Sequence, residues 1–231
     1  IGKAILGLVS VAEGSIRFDG EDITHCTTRR RRALTREIQV IYQDPYGSLN
    51  PARTVGSTLA EPLSVRGREF TSRDVKARVI EALDMVGLPA SVADRYPGDF
   101  SGGQRQRIAI ARAVIVRPRF IVCDEAVSAL DLSIQAQVLN LLADFRENLG
   151  VSYLFISHDL TVVSHVAERT AVLYHGRLVE FGDSEQVSTS PSHPYTAMLQ
   201  AAAPVPDPAL QLQRREEFVR RSTNLEISGE L

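Results

Sequence analysis

The chain has 231 residues, enough for one sizeable domain or a domain with an appended subdomain; 44% hydrophobic and 23% charged residues are ordinary for a soluble globular protein. Lys and Arg number 26 against 28 Asp and Glu, a net charge of −2, so no global basic field points to nucleic acid. No apolar stretch is long enough to span a bilayer, and two cysteines, Cys26 and Cys123, give neither a disulfide framework nor a metal-ligand spacing.

The sequence opens on Ile1 rather than Met, which leaves room for an upstream segment. Gly2–Lys3 invites comparison with a phosphate-binding loop, G-x-x-x-x-G-K-[ST]. That motif needs earlier glycines and a hydroxyl after the lysine, and here Ala4 follows. Residues 14–20 read as a strand with an Asp19–Gly20 turn. Arg29 to Arg32, with Arg36, form the only basic run, read as a solvated helix face because stacking aromatics are absent nearby. Ile38–Tyr42 is a buried-strand candidate leading into Gln43–Asp44–Pro45. Two helical patterns, split near Gly67, run from Val55 to about Val86; Val75, Val79, Leu83 and Val86 make a core stripe and Gly87 the stop.

Next comes Phe100–Ser101–Gly102–Gly103–Gln104, followed by an apolar run from Ile108 to Val116. Asp99 and Ser101 stand where a helix cap would be, so free backbone N–H groups would leave the helix start as an anion site. Alone, such a stretch is an ordinary capped helix. Downstream, Phe120–Cys123 reads as a strand buried on both faces that ends in two carboxylates, Asp124 and Glu125. Carboxylates there are costly unless a cation or a reaction needs them. Cys123 is a small core residue of this strand. Ser128–Asp131 leads into a helix from Leu132 to Leu149, with Val138, Leu141, Leu142 and Phe145 inward and Gly150 as the stop. Tyr153–Ile156 repeats the buried-strand pattern, ending at Ser157–His158–Asp159.

In order and spacing these stretches resemble the ATP-binding subunits of ABC transporters. Ser101–Gln104 resembles the family's signature motif, Phe120–Glu125 its Walker B strand, Ser128–Asp131 its D-loop, Gln43 its Q-loop glutamine and His158 its switch histidine. The run from Gln43 to Pro51 resembles the peptide-importer branch specifically.

The resemblance implies an α/β, P-loop NTPase-like fold: a mostly parallel sheet flanked by helices, with an inserted helical subdomain at about 52–115. It implies an ATPase domain over 1–188 and a C-terminal extension over 189–231, partly disordered. It implies ATP and Mg²⁺ as cofactors, with Asp124 and Gln43 toward the metal, Glu125 as general base and His158 on the γ-phosphate. Ser101, Gly102, Gly103 and Gln104 would complete the site of a second ATP-binding subunit, and Asp131 would communicate across that interface. Two permease subunits and, indirectly, a solute-binding protein follow as partners, at the cytoplasmic face of the cell membrane, with no nucleic acid. Tyr46 and Leu49, an aromatic and an apolar residue in a Gly/Pro/Asn-rich loop, are expected on the permease.

Against the family pattern, the first residues match the helix that follows the P-loop, with Ile5, Leu6, Leu8 and Val9 on its buried side. The loop itself and the adenine-stacking aromatic are absent, so this segment alone is expected to be inactive. Ala126 and Phe100 also depart from common residues without removing a reacting group. Two other readings are a soluble ABC-type ATPase acting on nucleic acid or ribosomes, and a chain without ATPase activity of its own.

Leu160 to Val166 reads as a short helix, and Thr170–Tyr174 with Arg177–Phe181 as a hairpin across His175–Gly176. His193 lacks companion ligands and is read as structural. Prolines at the density of Ser190–Thr196 and Ala203–Pro208 would ordinarily mean only a surface linker, but this tail resembles the C-terminal extension on ATPases of dipeptide, oligopeptide, glutathione and nickel importers, and Leu210 to Val219 carries weak helical character.

Overall fold

The computed structural model describes residues 1–44, 47–64 and 70–202. It divides into two compact units, Ile1–Ile156 and a second beginning at Ser157.

The first unit opens with one short helix, α1 (Gly2–Ile5). It stops early because Gly7 adopts φ 72, and a Cβ there would meet the Arg31 guanidinium at 2.6 Å. Leu8 and Val9 therefore leave the expected buried stripe and are exposed, while Ile5 and Leu6 stay half-buried. The strand expected at 14–20 is a hairpin of β1 (Arg17–Phe18) and β2 (Glu21–Asp22). Its two-residue turn has φ 52 at Asp19 and 79 at Gly20, the double left-handed geometry for which Asp-Gly is suited.

The basic run lies on α2 (Thr28–Leu34). It is less solvated than expected. Arg30 forks onto Glu21 and pairs with Glu37, and Arg31 donates to the carbonyls of Ile5 and Ile23 at 3.0 and 2.8 Å. Two of its cations are thus internal fasteners, because guanidinium forks can satisfy carboxylates and carbonyls at fixed angles. Arg29 and Arg32 remain exposed. Ile23, Leu34 and Ile38 form a small core beside this helix, with Phe18 and Phe120 against it.

A parallel sheet carries the unit: β3 (Ile38–Tyr42), then β4 (Phe120–Asp124), then β5 (Ser152–Ile156), with β4 central. Ile121, Val122 and Cys123 are fully buried, as a centre strand requires. β5 pairs on one side only within this described sheet, so Tyr153 to Ile156 are half-buried rather than buried as their sequence suggests. Between β3 and β4 stand α3 (Val55–Ser64), α4 (Ser72–Met85), two short 3₁₀ helices and α5 (Gly102–Val114). The expected split near Gly67 lies outside the described residues. Val79, Leu83 and Val86 are buried, and Gly87, φ 70, ends α4 while the N–H of Leu88 reaches the Leu83 carbonyl at 2.9 Å. Between β4 and β5 runs α6 (Leu132–Leu149), its inner side made by Val138, Leu141, Leu142 and Phe145 and its stop by Gly150 in the left-handed region.

The second unit holds α7 (Leu160–Val166), the antiparallel pair β6 (Arg169–Tyr174) and β7 (Arg177–Asp183), α8 (Ser184–Thr189) and α9 (Pro194–Ala202). The turn between β6 and β7 again has two left-handed residues, His175 at φ 46 and Gly176 at φ 78. Pro194 opens α9, since a helix start needs no N–H from its first residue. Glu180 fixes this end: its two carboxylate oxygens accept the N–H groups of Ser192 (2.8 Å) and His193 (3.1 Å). His193 Nδ1 accepts the Tyr195 N–H at 3.1 Å, a structural task as expected. The proline-rich stretch from Ala203, with the helical character expected at Leu210 to Val219, lies outside the described residues. Among the described residues no helix is long and apolar enough to cross a membrane.

Candidate functional site

The sheet register sets the first group of site residues. Tyr42 pairs with Asp124, and Asp124 with Ile156, so the three strands end in one row. Gln43 and Glu125 are the next residues of adjacent strands at this carboxyl edge, the side of an open α/β sheet where ligands bind. Asp124 and Glu125 are half-buried and Gln43 is exposed. His158 is exposed, follows the end of β5 by two residues, and belongs to the second unit.

Glu125 has an unusual backbone. Its φ is 52, in the left-handed region that a side chain with a Cβ occupies at a cost of about 1–2 kcal/mol. The surroundings hold it there. Its N–H donates to the Ile156 carbonyl at 3.0 Å, and its own carbonyl accepts the Ser128 N–H (3.1 Å) and hydroxyl (3.0 Å). The chain thus turns sharply after β4, and backbone strain of this kind clusters at functional sites.

The second group lies at the starts of two helices. Ser101 caps α5: its hydroxyl accepts the Gln104 N–H at 3.4 Å, and Gln104 Oε1 accepts the Ser101 N–H at 3.0 Å. This reciprocal box explains a glutamine three residues after the serine without any ligand. Asp131 caps α6, accepting the Ile134 N–H at 3.0 Å and the Ser133 hydroxyl at 2.7 Å. Those two donors hold its carboxyl below the usual range. Gly103 and Ile134 bring the two helix starts together, and Gly102 stands half-buried beside them.

Two residues that went unremarked in the sequence tie α5 to the sheet and to the segment after β3. Gln106 is fully buried, and its Nε2 donates to the Ala126 carbonyl at 2.6 Å and reaches the Tyr42 carbonyl at 3.5 Å. Arg112 donates to the Ser48 carbonyl at 2.6 Å, and burial pushes its guanidinium pKa down. The signal for Gln106 lay in spacing: residues 106, 110, 113 and 114 share one helical face, and the other three are Ile, Ala and Val.

Leu49, expected on a permease, is 3% exposed and packs into its own unit, which removes the reason for placing it on a partner. Tyr46 lies outside the described residues. Cys123 is buried as expected, and burial pushes its thiol up, so it is an inert packing residue.

Among the described residues, no three of His, Cys, Asp and Glu converge to form a metal cage. Asp124 ends β4 opposite Tyr42, the residue before Gln43, so a carboxylate and an amide stand on neighbouring strand ends.

Comparison with known proteins follows the same lines. The ABC transporter family matches residues 1–128, and the family described as the oligopeptide/dipeptide transporter C-terminal region matches residues 179–227. The glutathione import ATP-binding protein GsiA of Escherichia coli (strain K12) is 49% identical over 214 residues, 93% of this chain and 34% of that protein. The oligopeptide transport ATP-binding protein OppF of Salmonella typhimurium is 46% identical over 217 residues, 94% of this chain and 65% of that protein. OppD of Mycobacterium bovis, of the same description, is 51% identical over 205 residues, covering 89% and 33%. The chain thus spans between 33% and 65% of the length of these relatives. A solved structure of the ATP-binding cassette MJ0796, a dimer in a post-hydrolysis state bound to ADP and Pi, superimposes with a TM-score of 0.70. It is 26% identical, and the match covers 79% of this chain and 78% of that one. The expected fold class, α/β with a parallel sheet flanked by helices, is the one found. With the family matched across more than half of its residues, this chain belongs to the ABC transporter family.

Proposed function

We propose that the chain couples ATP binding and hydrolysis to import of peptides or a related small solute through membrane permease subunits. The observation that carries this reading is the row of strand ends, which puts Gln43, Asp124 and Glu125 on one carboxyl edge. Its relatives are described as ATP-binding proteins of glutathione and oligopeptide import.

In this reading Asp124 and Gln43 hold Mg²⁺, which when bound neutralises charge on the phosphate oxygens. Glu125 accepts a proton from the attacking water, a task that contributes roughly 10²–10⁴ in rate. Gln43 orients that water, since its amide offers both an acceptor and donors. His158 donates from one ring nitrogen toward the γ-phosphate. Ser101 to Gln104, from a second ATP-binding subunit, complete the site, and Asp131 communicates across that interface. The assembly works at the cytoplasmic face of the cell membrane with two permease subunits, and a solute-binding protein delivers the cargo.

Residues 1–231 contain no G-x-x-x-x-G-K-[ST], so they lack the backbone cradle and lysine that hold a triphosphate. The test uses the protein as the cell makes it. There, Glu125→Gln keeps ATP binding while steady-state hydrolysis falls about 10²-fold or more. Near-normal hydrolysis in that variant overturns the assignment of Glu125.

A further inference from the structure

Gln106 occupies a core position on α5, level with Ile110, Ala113 and Val114, yet it carries a primary amide. A buried amide is unfavourable unless its hydrogen bonds are made. Here the NH₂ group faces two carbonyls from different parts of the chain, Ala126 at 2.6 Å and Tyr42 at 3.5 Å. The orientation is fixed by charge, because the flipped amide would press its oxygen against the Ala126 carbonyl oxygen. Its Oε1 is buried without a hydrogen-bond partner. An apolar side chain of equal length would fill this space with no such mismatch, so the donor is what the position uses.

Ala126 is the residue after Glu125 and is itself 1% exposed. The left-handed turn at Glu125 is held on one side by the Ile156 carbonyl and on the other by Ser128. The Gln106 amide anchors the next carbonyl along, from the rear. Relaxation of that turn would require the Ala126 carbonyl to swing away from α5 and lose a short, fully buried hydrogen bond. The same amide reaches Tyr42, the residue before Gln43, so one donor references both neighbouring strand ends to the helix that Ser101 to Gln104 begin.

We infer that Gln106 is a positioning residue for Glu125: its side-chain amide locks the Ala126 carbonyl and so holds the Glu125 carboxylate where it can take the proton from water. This rests on the role proposed above for Glu125. Gln106 itself touches no reacting atom.

The test is Gln106→Met, equal in length and without a donor, in the protein as the cell makes it. The expected result is a kcat about tenfold lower or more, with KM for ATP within about twofold, since small misplacements of a reacting group are costly in rate. The double variant with Glu125→Gln is expected to be no slower than Glu125→Gln alone, because both act on one group. Independently of activity, amide hydrogen exchange at residues 126–128 is expected to rise about tenfold while the amides of α5 keep their protection. Losses that multiply in the double variant, or unchanged exchange at 126–128, overturn the inference. If Glu125→Gln keeps its turnover, the proposed function fails instead, and the exchange measurement still decides what Gln106 does. Should the Met variant not fold, Gln106→Asn, one methylene too short to reach Ala126, is read by the same measurements.

Discussion

Gly103 and Ile134 meet so closely that a Cβ on Gly103 would stand 2.7 Å from Ile134 Cγ2. The atom in the way sits on the first carbon of a β-branched side chain, which has little freedom to turn aside. Gly103→Ala is therefore expected to cost about 1–3 kcal/mol of stability, as overpacking does. Adding Ile134→Ala should recover part of that loss. A double-mutant cycle in urea checks this; additive losses would show that the two residues do not compete for the same space.

Asp131 separates two effects that are easily confused. Its carboxylate caps α6 through Ile134 and Ser133 whatever else it does. Asp131→Ala should lower stability by about 1 kcal/mol, while Asp131→Asn should be close to neutral, because asparagine caps as well as aspartate. Chemical denaturation of the two variants measures it. Equal losses in both would mean that the charge, rather than the cap, stabilises the helix.

Glu180 makes one attachment in the second unit depend on pH. Burial pushes its carboxyl up, but the Ser192 N–H, the Thr196 side chain and the His193 N–H together more than offset this and hold it below its ordinary 4.5. A depressed native pKa means that the carboxylate stabilises the attachment fully above the unfolded value, and that the benefit disappears as pH falls through the native one. Exchange of the Ser192 and His193 amides, corrected for intrinsic rates, should therefore be slow at about pH 6 and fast at about pH 3. Glu180→Ala, which leaves no acceptor, should exchange quickly at both. Slow exchange at low pH in the native chain would contradict the attachment.

Much of the fold could be read in advance where one physical signal dominated. Ile38–Tyr42, the β4 run and the α6 stripe declare themselves by apolar pattern, and Asp19–Gly20 and His175–Gly176 by turn chemistry. What stayed hidden depends on partners distant in sequence. The early stop of α1 comes from Gly7 facing Arg31, and the inward role of Arg30 and Arg31 from carbonyls and carboxylates on other elements. The half-buried state of β5 follows from its neighbours in the sheet, not from its own residues. At the site, the carboxylates of Asp124 and Glu125 were visible as an anomaly at a strand end. Gln106 was not, because a glutamine in a polar helix start attracts no notice until its face is counted. Leu49 misled because a loop composition says little about whether one leucine folds inward.

The left-handed backbone of Glu125 sets activity and robustness against each other. Glycine, and to a lesser degree asparagine, accept that φ more readily than glutamate, so either would relieve local strain. Neither carries a carboxylate. The position thus trades conformational ease for the carboxylate to which the proposed function assigns proton transfer.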